Sequence, residues 1–133
     1  MSRYERGASF ERQLVTEFWE RGWAAMRAAG SGTRKEPVPD VTAIKGGRII
    51  LVECKTTRKD RLSLKTAITE LARFAEISGG EGYIAIRFFR QRPRFYSLRE
   101  LLNKEDFTIC DRDEYLTMET MLGEQAKLCE TKK

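Results

Sequence analysis

The sequence predicts a single α/β domain in the order αβββαββ with a helical tail, and three observations point there. A chain of 133 residues, 41% hydrophobic and 34% charged, has apolar material for one compact core inside a heavily charged surface, which excludes a disordered chain. Two stretches, one near the start and one beginning at Leu64, place apolar residues at helical spacing. Around them lie short β-branched and aromatic runs punctuated by Gly and Pro, the pattern of strands.

The elements follow in order. On a wheel advancing about 100° per residue, Phe10, Leu14, Phe18 and Val15 share one side, while Arg12, Gln13, Thr16, Glu17 and Glu20 share the other. A surface helix is expected over residues 4–21, stopped by Gly22. Residues 23–26 read as a first strand leading into the loop Gly30, Ser31, Gly32, and Pro37 and Pro39 keep Val38 extended. A second strand spans residues 40–44, Gly46 and Gly47 make a tight turn, and a third strand spans residues 48–55. Its consecutive Ile49, Ile50, Leu51 and Val52 imply a strand covered on both faces. Leu64, Ala67, Ile68, Leu71, Phe74 and Ala75 form the stripe of a second helix that ends near Gly79 and Gly80. Residues 83–89 alternate with Ile84, Ile86 and Phe88 on one side, and residues 94–97 pair with them across the turn at Pro93. Beyond Leu98 the pattern weakens to a short helix reaching Asn103 and a last helix over residues 116–129. Residues from about 104 to 133 thus read as a tail on one domain, with a frayed end.

Charge and missing residue types narrow the chemistry. The net charge of +5 and a pI near 9.3 suggest a polyanionic partner, nucleic acid or an acidic membrane. The longest apolar runs are four residues, against about 20 needed to span a bilayer. No signal pattern opens the polar stretch 1–12, so a cytoplasmic protein is expected. With no histidine, Ser/His/Asp triads, Cys/His pairs and Cys/His zinc sites are excluded within one chain. Carboxylates, lysines, hydroxyls or a hard metal remain. Cys54, Cys110 and Cys129 lack metal-ligand spacing and are expected to be reduced structural thiols.

Glu11 falls inside the apolar stripe of the first helix, between Phe18 and Val15. Two readings stand: its side chain reaches out from the stripe's edge, or a buried carboxylate is neutralised or coordinates a cation. Asp40 follows Pro39 at the start of the second strand, and Glu53-Cys54-Lys55 closes the third. Each carboxylate is about six residues from the centre of the Gly46-Gly47 turn, so the two should face each other across the hairpin. Glu53 and Lys55 share a face. Two carboxylates roughly 4 Å apart repel by about 4 kcal/mol at an effective dielectric of about 20, and a divalent cation removes that repulsion. An all-oxygen set favours Mg²⁺ or Mn²⁺, beside which Lys55 can orient or deprotonate a water or neutralise charge on phosphate. The plainer alternative is a Glu53 to Lys55 salt bridge with Asp40 capping a turn.

Pro39-Asp40, twelve further residues, then Glu53-Cys54-Lys55 is similar to the PD-(D/E)XK nuclease signature. Residues 7–15, Arg27-Ala28-Ala29-Gly30-Ser31, Pro39-Asp40-Val41-Thr42-Ala43 and Val52-Glu53-Cys54-Lys55-Thr56-Thr57 make the match narrower. Over about residues 3–100 the chain resembles archaeal Holliday junction resolvases of the Hjc type. The resemblance implies a restriction-endonuclease-like fold, with a central mixed β-sheet flanked by helices. It also implies a homodimer that binds four-way junction DNA and introduces paired nicks with Mg²⁺. By position, Glu11, Asp40 and Glu53 match the family's metal-site carboxylates and Lys55 its catalytic lysine. Arg12, Arg27 and Ser31 match positions tied to DNA binding or activity.

Lys35, Arg58, Lys59 and Arg61 flank the expected active-site loops as candidates for DNA-backbone contacts, and Thr56 and Thr57 either hydrogen-bond phosphate or only cap a strand end. Arg87, Arg90, Arg92, Arg94 and Arg99 interleave with Phe88, Phe89, Phe95 and Tyr96. Either this hairpin grips phosphates, or its aromatics fill the core and its arginines are solvated. The leading expectation is a metal-dependent, structure-selective endonuclease of four-way junctions. Alternatives are another PD-(D/E)XK repair or restriction-like nuclease, and a DNA-binding module without catalysis. The presence of Glu11, Asp40, Glu53 and Lys55 together argues against the last, because clustered carboxylates oppose phosphate binding.

Overall fold

The computed structural model describes residues 3–28 and 36–123, residues 3 and 4 by their backbone alone. Helix α1 (Arg3–Glu20) buries the expected stripe, with Phe10, Leu14 and Phe18 fully enclosed; each such side chain contributes about 1.5–3 kcal/mol of apolar burial. Strands β1 (Ala24–Arg27) and β2 (Val41–Lys45) pair antiparallel, as do β2 and β3 (Arg48–Thr57). Gly46 and Gly47 take φ of 53° and 86°, the left-handed conformation that a two-residue hairpin turn demands of both positions.

After the short strand β4 (Arg61–Ser63), helix α2 (Lys65–Ser78) crosses over to β5 (Glu81–Phe88), which pairs parallel with β3. Strand β6 (Arg94–Ser97) returns antiparallel to β5, giving a mixed sheet in the order β1-β2-β3-β5-β6. Helix α3 (Leu98–Lys104), strand β7 (Thr108–Cys110) and helix α4 (Met118–Leu122) complete the described chain.

Each face of the sheet carries its own core. Phe10, Leu14 and Phe18 of α1, with Met118 and Met121 of α4, cover Val41, Ile50 and Val52. Ile68 and Leu71 of α2, with Leu98 and Leu101 of α3, cover Leu51, Ile84 and Ile86 on the other face. Strand β3 therefore feeds both cores, as its unbroken apolar run requires.

The structure corrects four expectations. Trp23 is not in the first strand; it sits in the core with its ring edge against Phe18, 6.2 Å between centroids, and pairing begins at Ala24. Asp40 precedes β2 rather than opening it, and β3 runs on to Thr57 because β5 still pairs with it there. The αβββαββ order lacks a second, two-stranded sheet in which Leu62 of β4 pairs with Ile109 of β7. Runs of three residues carry too little alternation to be read as strands.

The last helix over residues 116–129 is also shorter than expected. Leu116 instead exchanges two backbone hydrogen bonds with Phe95, and α4 is capped by the Thr117 hydroxyl and closed by left-handed Gly123. The loop at Gly30, Ser31 and Gly32, together with Lys35, Cys129 and residues 124–133, lies outside the described residues.

Candidate active site

The β2/β3 ladder ends at Val41 opposite Val52, and the same register sets Asp40 against Glu53. Asp40, 8% exposed, is the one charged residue among the buried ones described. Two neighbours hold it: its carbonyl accepts from the Ala28 amide at 3.0 Å, and its Oδ2 accepts from the Cys54 amide at 2.8 Å. Past Val52 strand β3 has no β2 partner, so the Asp40 carboxylate takes the place of a ladder acceptor. A buried backbone amide requires such a partner.

Glu53 hydrogen-bonds with the Asp40 carboxyl, and its own carboxyl is pushed up to about 8, first by burial and then by the Asp40 charge, with Lys55 acting in the opposite sense. Lys55 stands two residues further along β3 on the same face as Glu53, as the strand period requires. The Cys54 thiol is driven well above its ordinary range by burial and then by Asp40, Glu11 and Glu53, which keeps it a neutral packing group. Cys54 and Cys110 are both free thiols.

Glu11 reaches the site from α1 on the opposite face of the sheet. Its Oε1 accepts from Arg27 Nε at 3.2 Å, with the Glu11 side chain 15% exposed. Burial and then the Asp40 charge raise its pKa, while Arg27 lowers it. Glu11 thus neither extends into solvent nor stands unneutralised, because Arg27 at the end of β1 supplies its countercharge. Among the described residues no three His, Cys, Asp or Glu side chains gather as a metal-ligand group. Asp40 and Glu53 meet, and Glu11 is coupled to them through Asp40. A buried and a partly buried carboxylate brought together as oxygen donors fit a hard divalent cation, which commonly takes one or two carboxylates and keeps its waters.

The expected DNA-contact residues divide. Arg12 is exposed on α1 beside Glu11, and Arg58 and Lys59 are exposed just past β3. Thr57 caps, its hydroxyl accepting from the Lys59 amide at 3.0 Å, while Thr56 is half-buried in β3. Arg61 opens β4, on the small sheet. Arg87 bonds Gln13 of α1 at 2.8 Å and lies over Phe10. Arg94 bonds the Asp111 carbonyl and lies over Phe88 and Tyr115, so it staples the fold. Phe88, Phe95 and Tyr96 fill the core, but Phe89 is 49% exposed. The partnership of Arg27 with Glu11 escaped the sequence, since no spacing rule joins a helix residue to a strand end packed against it.

The sequence model of the family described as Archaeal holliday junction resolvase (hjc) matches residues 2–129. A crossover junction endodeoxyribonuclease Hjc of Archaeoglobus fulgidus is 36% identical over 75% of this chain and 74% of its own length. Its counterpart in Sulfolobus acidocaldarius is 36% identical over 74% and 73%. The solved structure of Archaeoglobus fulgidus Hjc, a Holliday junction resolvase, superposes with a TM-score of 0.76 at 31% identity, covering 87% of this chain and 98% of that one. The family match reaches well past residue 100, into the region that carries β7 and α4, and the chain belongs to the archaeal Holliday junction resolvase (Hjc) family.

Proposed function

We propose that this protein is an Mg²⁺-dependent endodeoxyribonuclease that binds four-way DNA junctions as a homodimer and resolves them by paired nicks. The observation that supports it most is the buried contact of Asp40 with Glu53, with Lys55 two residues along the same face of β3. Family membership supplies the substrate class.

Asp40 and Glu53 would hold the ion, with Glu11 as third carboxylate of the set; Mn²⁺ is a possible substitute. Bound there, the ion supplies Lewis-acid stabilisation of phosphate oxygens and acidifies water. The Cys54 amide fixes the Asp40 carboxylate, so that the donor does not reorganise as substrate arrives. The Lys55 ammonium orients the attacking water and neutralises charge accumulating on phosphorus-bound oxygens. Arg12, Arg58 and Lys59 contact the DNA backbone around this centre, and Arg27, Ser31, Lys35, Thr56 and Arg61 remain further candidates from the sequence.

The homodimer follows from paired nicks, which need two sites related by a two-fold axis. The described surface offers a seat for the second copy. Met26 pairs across to Thr42 and Leu51, and Ala24 to Ile44 and Ile49, so these residues share the α2 face of the sheet. Met26 and Ile44 are exposed on that face. No described helix is long and apolar enough to cross a membrane.

The test is incubation with Mg²⁺ of a four-way junction, a flap and a linear duplex of matched sequence. Cleavage confined to the junction and lost in Glu53→Gln is expected; equal cutting of the linear duplex would replace this reading with a restriction-like one.

A further inference from the structure

We propose that Phe89, with Arg58 and Arg90 at its ring at the tip of the β5–β6 hairpin, is a stacking platform for an exposed base at the branch point, so that an aromatic ring about 10 Å along the strands from Lys55 senses branching. The proposal rests on the junction-cleaving reading above.

Phe88, the last residue of β5, is buried in the core at 3% exposure, and Phe89, the first residue of the turn beyond it, is 49% exposed. Two cations from different segments lie over the ring, the Arg58 guanidinium carbon 4.8 Å from its centroid and that of Arg90 5.1 Å, so a stacking base takes the place of a guanidinium. The Gln91 amide bonds the Phe88 carbonyl at 2.9 Å, closing a turn with Phe89 and Arg90 at its centre. Arg90 takes φ of 59° there, a left-handed position usually given to Gly or Asn. A strained backbone that presents an exposed aromatic is more often found at functional positions than at inert turns.

Position supplies the rest. In the parallel β3/β5 register Lys55 stands opposite Ile86 and Thr57 opposite Phe88. Phe89 therefore lies three residues past the partner of Lys55, about 10 Å along the strands. That is about three base steps at roughly 3.4 Å each. Inside a linear duplex both faces of every base are covered by neighbours. At a branch point the stacks are interrupted, and base faces become available to an aromatic ring. Stacking of this kind is indifferent to sequence, and Arg58 and Arg90 add cation attraction for the adjoining phosphates.

The experiment compares the full chain with Phe89→Ala, Phe89→Leu and Phe89→Trp in the absence of divalent cation, against a four-way junction carrying 2-aminopurine at the branch and a matched linear duplex. Wild type should prefer the junction and change the 2-aminopurine fluorescence. Phe89→Ala and Phe89→Leu should lose about 5- to 150-fold in junction affinity, change linear-duplex affinity less than about two-fold, and lose the fluorescence response, while Phe89→Trp keeps both. Melting temperatures matching wild type exclude a folding effect. Junction affinity and fluorescence response unchanged in Phe89→Leu would overturn the proposal while leaving the nuclease reading intact. Equal loss on both DNAs would assign Phe89 and its arginines to a structural staple. Wild type that does not distinguish the junction from linear DNA would overturn the nuclease reading and this proposal together.

Discussion

The Arg27 guanidinium at the end of β1 bonds the Glu11 carboxylate on α1 at 3.2 Å, and the charge of Asp40 acts on that same carboxylate. Arg27 is thus a positioning residue for Glu11 before it is a DNA contact. With the two side chains 23% and 15% exposed, removing Arg27 leaves a largely enclosed carboxylate unpaired beside a second one. Arg27→Ala should destabilise the fold by about 1–3 kcal/mol, measured by urea unfolding, and the same change in a Glu11→Gln background should cost much less. Equal losses in both backgrounds would refute the pairing. Glu11→Gln should itself lower cleavage by at least about 100-fold, the scale of one preorganised electrostatic group.

Glu53 makes stability depend on pH. Burial and the Asp40 charge raise its carboxyl from an ordinary 4.5 to about 8. The folded chain keeps a proton that the unfolded chain releases across that interval. The associated stability is therefore fully present below about pH 4.5, declines as pH rises, and is gone above about pH 8. In metal-free buffer Glu53→Gln, which cannot ionise, should exceed wild type in stability at pH 8 by at least about 1 kcal/mol and converge with it near pH 4.5. Thermal melts at the two pH values decide, and an unchanged gap would contradict the burial of Glu53.

Much of this site was legible beforehand, for identifiable reasons. The Gly46-Gly47 turn fixes the hairpin register, and register alone sets Asp40 against Glu53. A period of two puts Lys55 with Glu53. The four-residue apolar run in β3 correctly implied a strand covered on both faces. What stayed hidden depended on packing: the end of β1 against α1, which pairs Arg27 with Glu11, and the short β4–β7 sheet, whose Ile109 is buried by tertiary contact rather than marked by any pattern. Phe89 was named with Phe88, Phe95 and Tyr96 in a hairpin that either grips phosphates or fills the core, and only the fold separates it from them as the exposed one.

The open α2 face at β1 and β2 should be an isologous interface. Met26, 60% exposed against 39% for Ile44, is its more accessible large apolar strand residue. Met26→Glu places two like charges close together across a two-fold axis, which is unfavourable at an apolar contact. Sedimentation should show a wild-type dimer at low micromolar concentration and a folded Met26→Glu monomer. A wild-type monomer with and without DNA would contradict the dimer, and a Met26→Glu dimer would place its interface elsewhere.

Backbone contacts should dominate affinity. A net charge of +5 per chain is modest, so the binding charge must come from local sets such as Arg12, Arg58 and Lys59 in two subunits. If about six phosphates are neutralised, log affinity should fall against log salt with a slope of about −5, or about three orders of magnitude between about 50 and about 200 mM. Fluorescence anisotropy across that range checks it. A slope near zero, or strong dependence on base sequence, would contradict backbone recognition.

The most direct measurement uses a supercoiled plasmid that extrudes a cruciform. Two coordinated nicks across its junction convert the circle straight to linear DNA, whereas a single nick relaxes it and removes the junction. With Mg²⁺ the wild-type protein should yield linear product without accumulating open circle, and Asp40→Asn and Glu53→Gln should yield neither while still binding the junction. Open circle as the main product, or linear product from either variant, would contradict paired hydrolysis at the Asp40 and Glu53 centre.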